Sequence, residues 1–370
     1  MKILYIGRFE LPDKEATANR VVANAKLLRD GGHEVVLAGW ASDVSASEEW
    51  RESAYFGFRC YEKHKAETPR EKYKMFSDAS PELSLLKQEK YDLLIAYDFP
   101  AVALKKLMKH CRRAGVRVVC DVSEWYTNSN KNPLFRVVRA YDSYLRMRVL
   151  HKKADGLIVI SKYLERYYRD CKTVLVPPLV DLCDEKWTLT EDAPSDGKTR
   201  LIYAGWPSRT KERLDVIVGA VGKQIERAVL DVYGINEAQY RAIYDDMGTL
   251  PANVRFHGRV SHTEAVAAVK RADFSVIIRA SCRKNNAGFP SKLVESISCG
   301  TPALITDISN VRDFVGEGRN GYIVSVECFG EELEALLSDG ANVRVERDAF
   351  DYRRYADDVR AFLDSIGTTR

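Results

Sequence analysis

The sequence predicts an α/β protein of two doubly wound, Rossmann-like domains facing a central cleft. Three observations carry that prediction. The chain has 370 residues, beyond the about 250–300 at which single cores stop growing. Short β-branched runs alternate with amphipathic helical patterns along nearly all of it, which indicates parallel sheets covered on both faces. The alternation halts once, in a polar stretch near the middle, and then restarts.

In the first half, strand candidates fall at residues 3–7, 34–40, 55–61, 93–97, 117–122, 156–160 and 174–177. Helical periodicity fills the gaps at 19–30, 100–114, 133–153 and 161–169. The first of these helices stops at Gly31-Gly32, a glycine C-terminal signal. Residues 182–199 are polar and irregular, with Ala193-Pro194-Ser195-Asp196-Gly197 inside them, and read as a linker. Strands resume at 201–205, 229–234, 254–258, 274–279, 302–306 and 322–324, and 348–366 reads as a closing helix. The expected domains are therefore 1–181 and 200–345, with 346–370 returning to the first.

Apolar residues make up 45% and charged residues 30% of the chain, the balance of a soluble globular enzyme. No apolar run approaches the roughly 18 residues that span a bilayer. The chain enters a strand-like run at once, Lys2-Ile3-Leu4-Tyr5-Ile6, so no signal peptide is expected. Eight scattered cysteines form no CxxC pair, which points to reduced thiols in a cytoplasmic protein. The six histidines lack metal-ligand spacing, so no tightly bound metal is expected.

Charge is uneven. Residues 1–180 hold 32 Lys and Arg against 23 Asp and Glu, and residues 181–370 hold 25 against 30. The first half therefore suits an anionic partner, if the bias exceeds chance. Segment 132–153 holds Arg136, Arg139, Arg146, Arg148, Lys152 and Lys153 against one acid, Asp142. At 100° per residue Arg136, Arg139, Arg146 and Lys153 share a face, with Phe135, Tyr141, Tyr144, Leu145 and Met147 interleaved. That pattern suits peripheral docking on an anionic membrane face. It equally suits a surface helix whose apolar residues pack on the sheet. No nucleic-acid fold accompanies the charge, so nucleic acid is not an expected partner.

The richest stretch runs from Arg279 to Pro302. A buried strand ends, a basic polar loop follows, and Gly288-Phe289-Pro290-Ser291 leads into a helix with Leu293, Val294 and Ile297 apolar on one side. A glycine turn feeding a helix N-terminus offers N–H groups and a positive dipole end to a diphosphate. Glu295, one turn in, has the two acceptor oxygens a ribose diol needs. Taken alone, the stretch is equally a plain strand–loop–helix with a solvated glutamate. In the first half, Asp121 and Glu124 follow a strand whose end faces the ligand crevice of such sheets. They read as acceptor-positioning carboxylates or as structural ones.

The string Gly288-Phe289-Pro290-Ser291-Lys292-Leu293-Val294-Glu295, continued to Gly300-Thr301-Pro302, resembles the nucleotide-sugar site of glycosyltransferase family 4. That is the large retaining family with the two-domain GT-B fold, and the chain resembles its bacterial polysaccharide-assembly members. Leu201–Gly205 followed by Lys211 and Asp215, the strand 253–260, and the segments 272–276, 320–324 and 154–161 agree with the family's pattern. The resemblance implies a nucleoside diphosphate sugar as co-substrate, no cofactor, and transfer to a hydroxyl of a glycan or lipid-linked acceptor. It implies that Lys211, seconded by Arg209, binds the donor diphosphate and stabilises the charge that grows on it, while Asp121 and Glu124 stand as candidate catalytic carboxylates on their strand-end position alone. Backbone groups from Gly288, Phe289, Pro290, Ser291, Lys292 and Leu293 would cap the phosphates, and Glu295 would hold the ribose. Tyr233, Gly234, Arg259 and Val260 would frame the base.

Three departures mark a divergent member. Ala287 stands where the family often carries a first glutamate, eight positions before Glu295. Trp206 replaces an arginine after the strand glycine. The loop Ala16-Thr17-Ala18-Asn19 lacks the usual glycine pair. Other readings of the same residues are a nucleotide-sugar epimerase and a non-catalytic nucleotide-sugar-binding subunit. A dinucleotide oxidoreductase is disfavoured, because no GxGxxG turn follows a strand.

Overall fold

The computed structural model describes every residue except 13–14, 126–131, 189–196, 208–211, 245–247, 317, 341 and 368–370. The chain divides into two compact units, Met1–Leu179 with Tyr352–Arg370, and Val180–Asp351.

The first unit carries β1 (Lys2–Glu10), β2 (Glu34–Ala41), β3 (Arg51–Tyr55), β4 (Phe58–His64), β5 (Leu93–Tyr97), β6 (Arg117–Val122), β7 (Gly156–Val159) and β8 (Thr173–Leu175). They form one sheet in the order β3-β4-β2-β1-β5-β6-β7-β8, with only β3 antiparallel. Every residue of β5 is buried, as expected of a strand with helices on both faces. The helices are α1 (Ala16–Asp30), α2 (Pro69–Lys74), α3 (Ser80–Gln88), α4 (Ala101–Ala114), α5 (Pro133–Leu145) and α6 (Lys162–Tyr167).

Two expectations fail here. Residues 55–61 are not one strand. Phe56 and Gly57 take φ of +54° and +79° and turn β3 back along β4. A two-residue hairpin of that hand needs positive φ at both central positions, and a phenylalanine gives no sequence sign of it. Residues 133–153 are not one α-helix either. α5 ends at Leu145, a π-helical turn spans Arg146–Leu150, and a 3-10 turn spans His151–Lys153. The changed pitch ends the 100° arithmetic at Leu145.

The second unit carries β9 (Thr199–Ala204), β10 (Ala228–Tyr233), β11 (Val254–Gly258), β12 (Phe274–Ile277), β13 (Ala303–Thr306) and β14 (Gly321–Val324), in the order β11-β10-β9-β12-β13-β14. The strands of this sheet pair in parallel throughout. Its helices are α7 (Leu214–Gly222), α8 (Glu237–Ile243), α9 (His262–Lys270), α10 (Arg283–Ala287), α11 (Ser291–Ser298) and α12 (Phe329–Asp339). Leu201, Leu230, Val276 and Leu304 from the central strands pack with Ile217, Val221 and Leu333 of the covering helices. Trp187, inside the stretch read as a linker, is buried against Ile202, Val266 and Val269.

The closing segment is likewise broken. Two 3-10 turns, Arg347–Phe350 and Tyr352–Tyr355, precede α13 (Ala356–Gly367). Val359, Phe362, Leu363 and Ile366 enter the first unit's core. A Cβ on Gly156 would lie 2.6 Å from the Phe362 ring, so a larger residue at the start of β7 would displace the side chains of α13 packed on it.

Candidate functional site

The carboxyl edge of the second sheet is built on glycines. Gly205, after β9, has φ +143°, and Gly234, after β10, has φ +106°. The Gly205 amide donates to the Tyr233 carbonyl at 2.9 Å and the Gly234 amide to the Gly258 carbonyl at 2.7 Å. A Cβ on Gly234 would sit 2.5 Å from the Gly205 carbonyl oxygen. Any larger residue at 234 would force the ends of β9 and β10 apart.

Lys292, in the first turn of α11, runs across this edge. A Cβ on Gly205 would lie 2.5 Å from Lys292 Cε. Lys292 Nζ stands 4.9 Å from the Tyr203 ring centroid and donates to both Glu212 carboxylate oxygens at 2.8 Å. Arg279 donates to Glu212 Oε1 at 2.5 Å, and the Tyr203 hydroxyl also donates to Glu212. Glu212 is buried. Burial alone would raise its carboxyl, but Lys292 and then Arg279 outweigh burial and hold it near 2. Two cations and one carboxylate thus leave a net positive charge beside the N-terminal end of α11, whose dipole has the same sign.

The other predicted donor residues are distributed around this cluster. Phe289 is buried by its edge contacts with Phe314 and Phe350. The Leu293 amide donates to the Pro290 carbonyl at 3.0 Å, so it is not available to cap a phosphate. Gly288 has φ −84°, ordinary for any residue, and the polar loop before it is helix α10. Ser291 opens α11. Glu295 is half-buried, 3.5 Å from His262 Nε2. Tyr233 stacks on His257 with ring centroids 4.2 Å apart and planes 7° apart, and His257 Nε2 lies 2.7 Å from Asp231. Arg259 is exposed and Val260 half-buried just beyond β11. Ala287 is fully buried, so a glutamate there would carry charge into packed interior. Arg209 and Lys211 lie outside the described residues.

In the first unit, Asp121 is structural. Arg20 grips it through Nη2 at 2.7 Å and Nε at 3.1 Å, and the Tyr5 hydroxyl and Asn24 add bonds of 2.5 and 3.3 Å. Its burial at the end of β6 removes it from the acceptor-positioning role expected of it. Glu124 is exposed in the loop that follows. The buried Glu212–Lys292–Arg279 cluster escaped the sequence reading. Its one signal was an acid set directly after Lys211 in a basic loop, and sequence does not tell a buried acid from a solvated one.

Comparison with known proteins follows the same outline. Residues 16–178 match the model described as "Glycosyl transferase 4-like domain", and residues 198–339 match "Glycosyl transferases group 1". Phosphatidyl-myo-inositol mannosyltransferase of Mycobacterium tuberculosis is 25% identical over 245 residues, 64% of this chain and 61% of the relative. The chain thus matches about three fifths of that relative's length. The Mycolicibacterium smegmatis counterpart is 21% identical over 341 residues, 89% of this chain and 81% of its own. Among solved structures, sucrose-phosphate synthase of Thermosynechococcus elongatus superposes with TM-score 0.70 at 16% identity, covering 99% of both chains. Anabaena HepE in complex with UDP and glucose gives 0.64 at 13%, covering 99% of this chain and all of its own. The fold is the two-domain GT-B architecture.

Proposed function

The chain belongs to the glycosyltransferase 4-like, group 1 glycosyltransferase family, and on that premise we propose that it is a retaining glycosyltransferase. It would move a sugar from a nucleoside diphosphate sugar to a hydroxyl of a glycan or lipid-linked acceptor. The observation that carries the reading is Lys292 laid across Gly205 beside Arg279 and the start of α11. This is a preorganised cationic seat for a diphosphate at a strand-edge glycine. Lys211 and Arg209 add charge by family likeness, Glu295 takes the ribose, and Tyr233, Gly234, Arg259 and Val260 frame the base.

In the reaction, the bond from the sugar's anomeric carbon to the diphosphate breaks and its electrons stay on the phosphate. The acceptor hydroxyl forms the new bond on the same face and gives its proton to the departing phosphate. No protein base or bound metal enters. The cations stabilise the charge that grows on the leaving group. The test is nucleotide release from a panel of nucleoside diphosphate sugars, with and without acceptor. Acceptor-dependent release is expected. Release without acceptor favours an epimerase, and binding without release favours a non-catalytic subunit.

A lipid-linked acceptor is supported by α5 and by the mannosyltransferases named for phosphatidyl-myo-inositol. Leu134, Val137, Tyr141 and Tyr144 recur at helical spacing and are 64, 67, 61 and 58% exposed. Arg148 lies over the Tyr144 ring at 5.5 Å, and Lys152 and Lys153 are exposed beyond it. Apolar and aromatic side chains beside cations suit an anionic lipid face. The expected stripe of Arg136, Arg139, Arg146 and Lys153 is corrected in two members, because Lys153 lies in a 3-10 turn beyond the end of α5, where the helical spacing no longer holds, and Arg146 leaves the surface. Arg146 is buried and paired with Asp98 and Asp142. The chain should pellet with anionic vesicles and be released by salt, and indifference to them at low salt would remove the membrane from the reading.

A further inference from the structure

A cavity of about 220 Å³ opens in the first unit where β1, β2, β4 and β5 end, the edge at which open α/β sheets take ligands. Arg8 is held there with its guanidinium carbon 5.9 Å from the Trp40 ring centroid and 5.7 Å from that of Phe76. Trp40 and Phe99 are among its apolar lining residues, and Glu48, Glu49, Lys63 and Lys74 among its polar ones. The charges are balanced. Lys63 is paired with Glu82, Lys74 with Asp78 at 3.4 Å, and His64 lies 3.7 Å from Glu71. Backbone bonds from Thr68 and Glu67 hold the Glu71 carboxyl near 2, so it keeps its charge.

Such a wall does not select an anion, because the lining acids offset the lining cations. It matches a neutral polyol. An indole face accepts the C–H face of a pyranose, and the forked oxygens and nitrogens of carboxylates and a guanidinium match vicinal hydroxyls. Phe135 of α5 packs edge-on against Tyr73 and Phe76 at 5.6 and 5.8 Å. The helix with the exposed apolar stripe is therefore packed onto the segment that walls the cavity.

We propose that this cavity is a carbohydrate subsite that seats one neutral pyranose unit of the acceptor against Trp40. The proposal rests on the glycosyltransferase reading above, and it narrows the acceptor to one that presents an uncharged sugar to the first unit. The probes are methyl glycosides of mannose, glucose, galactose and N-acetylglucosamine, with hexose 6-phosphates for comparison. Binding to the full chain is followed by saturation-transfer NMR at millimolar concentration.

At least one methyl glycoside should bind. Trp40→Ala should weaken it about tenfold or more, while Trp40→Phe retains part of the affinity. Trp40 lies within β2, so a second variant outside the strand is needed: Glu48→Ala/Glu49→Ala, changed at two exposed positions, should independently weaken the same glycoside. Nucleoside diphosphate affinity, measured in every variant, reports whether the second unit is intact and tests the donor reading separately. The subsite is refuted by no glycoside binding while nucleotide binds, by glycoside binding indifferent to both sets of variants, or by hexose phosphates binding more tightly in a salt-sensitive way. Glycoside binding lost in the variants, with no nucleotide binding in any protein, would uphold the subsite and refute the donor site.

Discussion

Glu212 shows how far a single buried charge shapes this chain. Its carboxyl is held near 2 against an ordinary value of 4.5. A depressed folded-state value contributes stability that is fully present above about 4.5 and is lost as pH falls through 2. The difference corresponds to about 3 kcal/mol. Urea titrations between pH 5 and 2 should show that loss, and Glu212→Gln should flatten it while destabilising the chain at pH 7, because Lys292 and Arg279 are then left without their carboxylate. Two further outcomes belong at this scale. Glu295→Gln should weaken nucleoside diphosphate binding by calorimetry without unfolding the chain. Lys211→Ala should lower turnover about a hundredfold if it clamps the leaving phosphate, and wild-type kinetics in the folded variant would remove it from the mechanism. The sequence marked Lys292 and Glu295 through their setting in a helix start. It did not mark Glu212, nor the burial of Asp121, because both depend on partners far along the chain.

Elements were legible where one local signal decided them. β5 and β6 fall at the predicted residues because a short apolar run, Leu93–Tyr97 in one and Val118–Cys120 in the other, bounded by polar residues admits few other placements. The hairpin at Phe56-Gly57, the π-turn after Leu145 and the 3-10 turns before α13 were not legible, since packing rather than periodicity sets them. At α5 the exposed side chains are Leu134, Val137, Tyr141 and Tyr144 with Arg136 among them, and the proposed membrane contact rests on the apolar ones. Val137→Asp/Tyr141→Asp should therefore reduce pelleting with anionic vesicles and leave the melting temperature within about 2 °C, as exposed substitutions do. At the glycine edge the opposite holds. Gly234→Ala sets a methyl 2.5 Å from the Gly205 carbonyl and should destabilise the second unit by about 3 kcal/mol, read as a lower urea midpoint.

For the whole molecule, the repeated alternation and the midway break foretold two α/β units, and each sheet is parallel apart from the β3–β4 edge. What interrupts the simple picture is that the first unit is made from two stretches of chain, with the second unit inserted between Leu179 and Tyr352. Residues 352–370 contribute Val359, Phe362, Leu363 and Ile366 to the first core, side chains worth about 1.5–3 kcal/mol each on burial. A chain ending at 351 should lose the cooperative melting of the first unit and become protease-sensitive there. The same insertion fixes an order of events during synthesis. A growing chain ordinarily folds its domains as they emerge, but here the earlier-made sheet must wait, its β7 and β8 face uncovered, while some 170 further residues are translated. The second unit is finished first. A ribosome that stalls before α13 leaves a folded half joined to a sticky one, and that intermediate is the species a holding chaperone would be expected to meet.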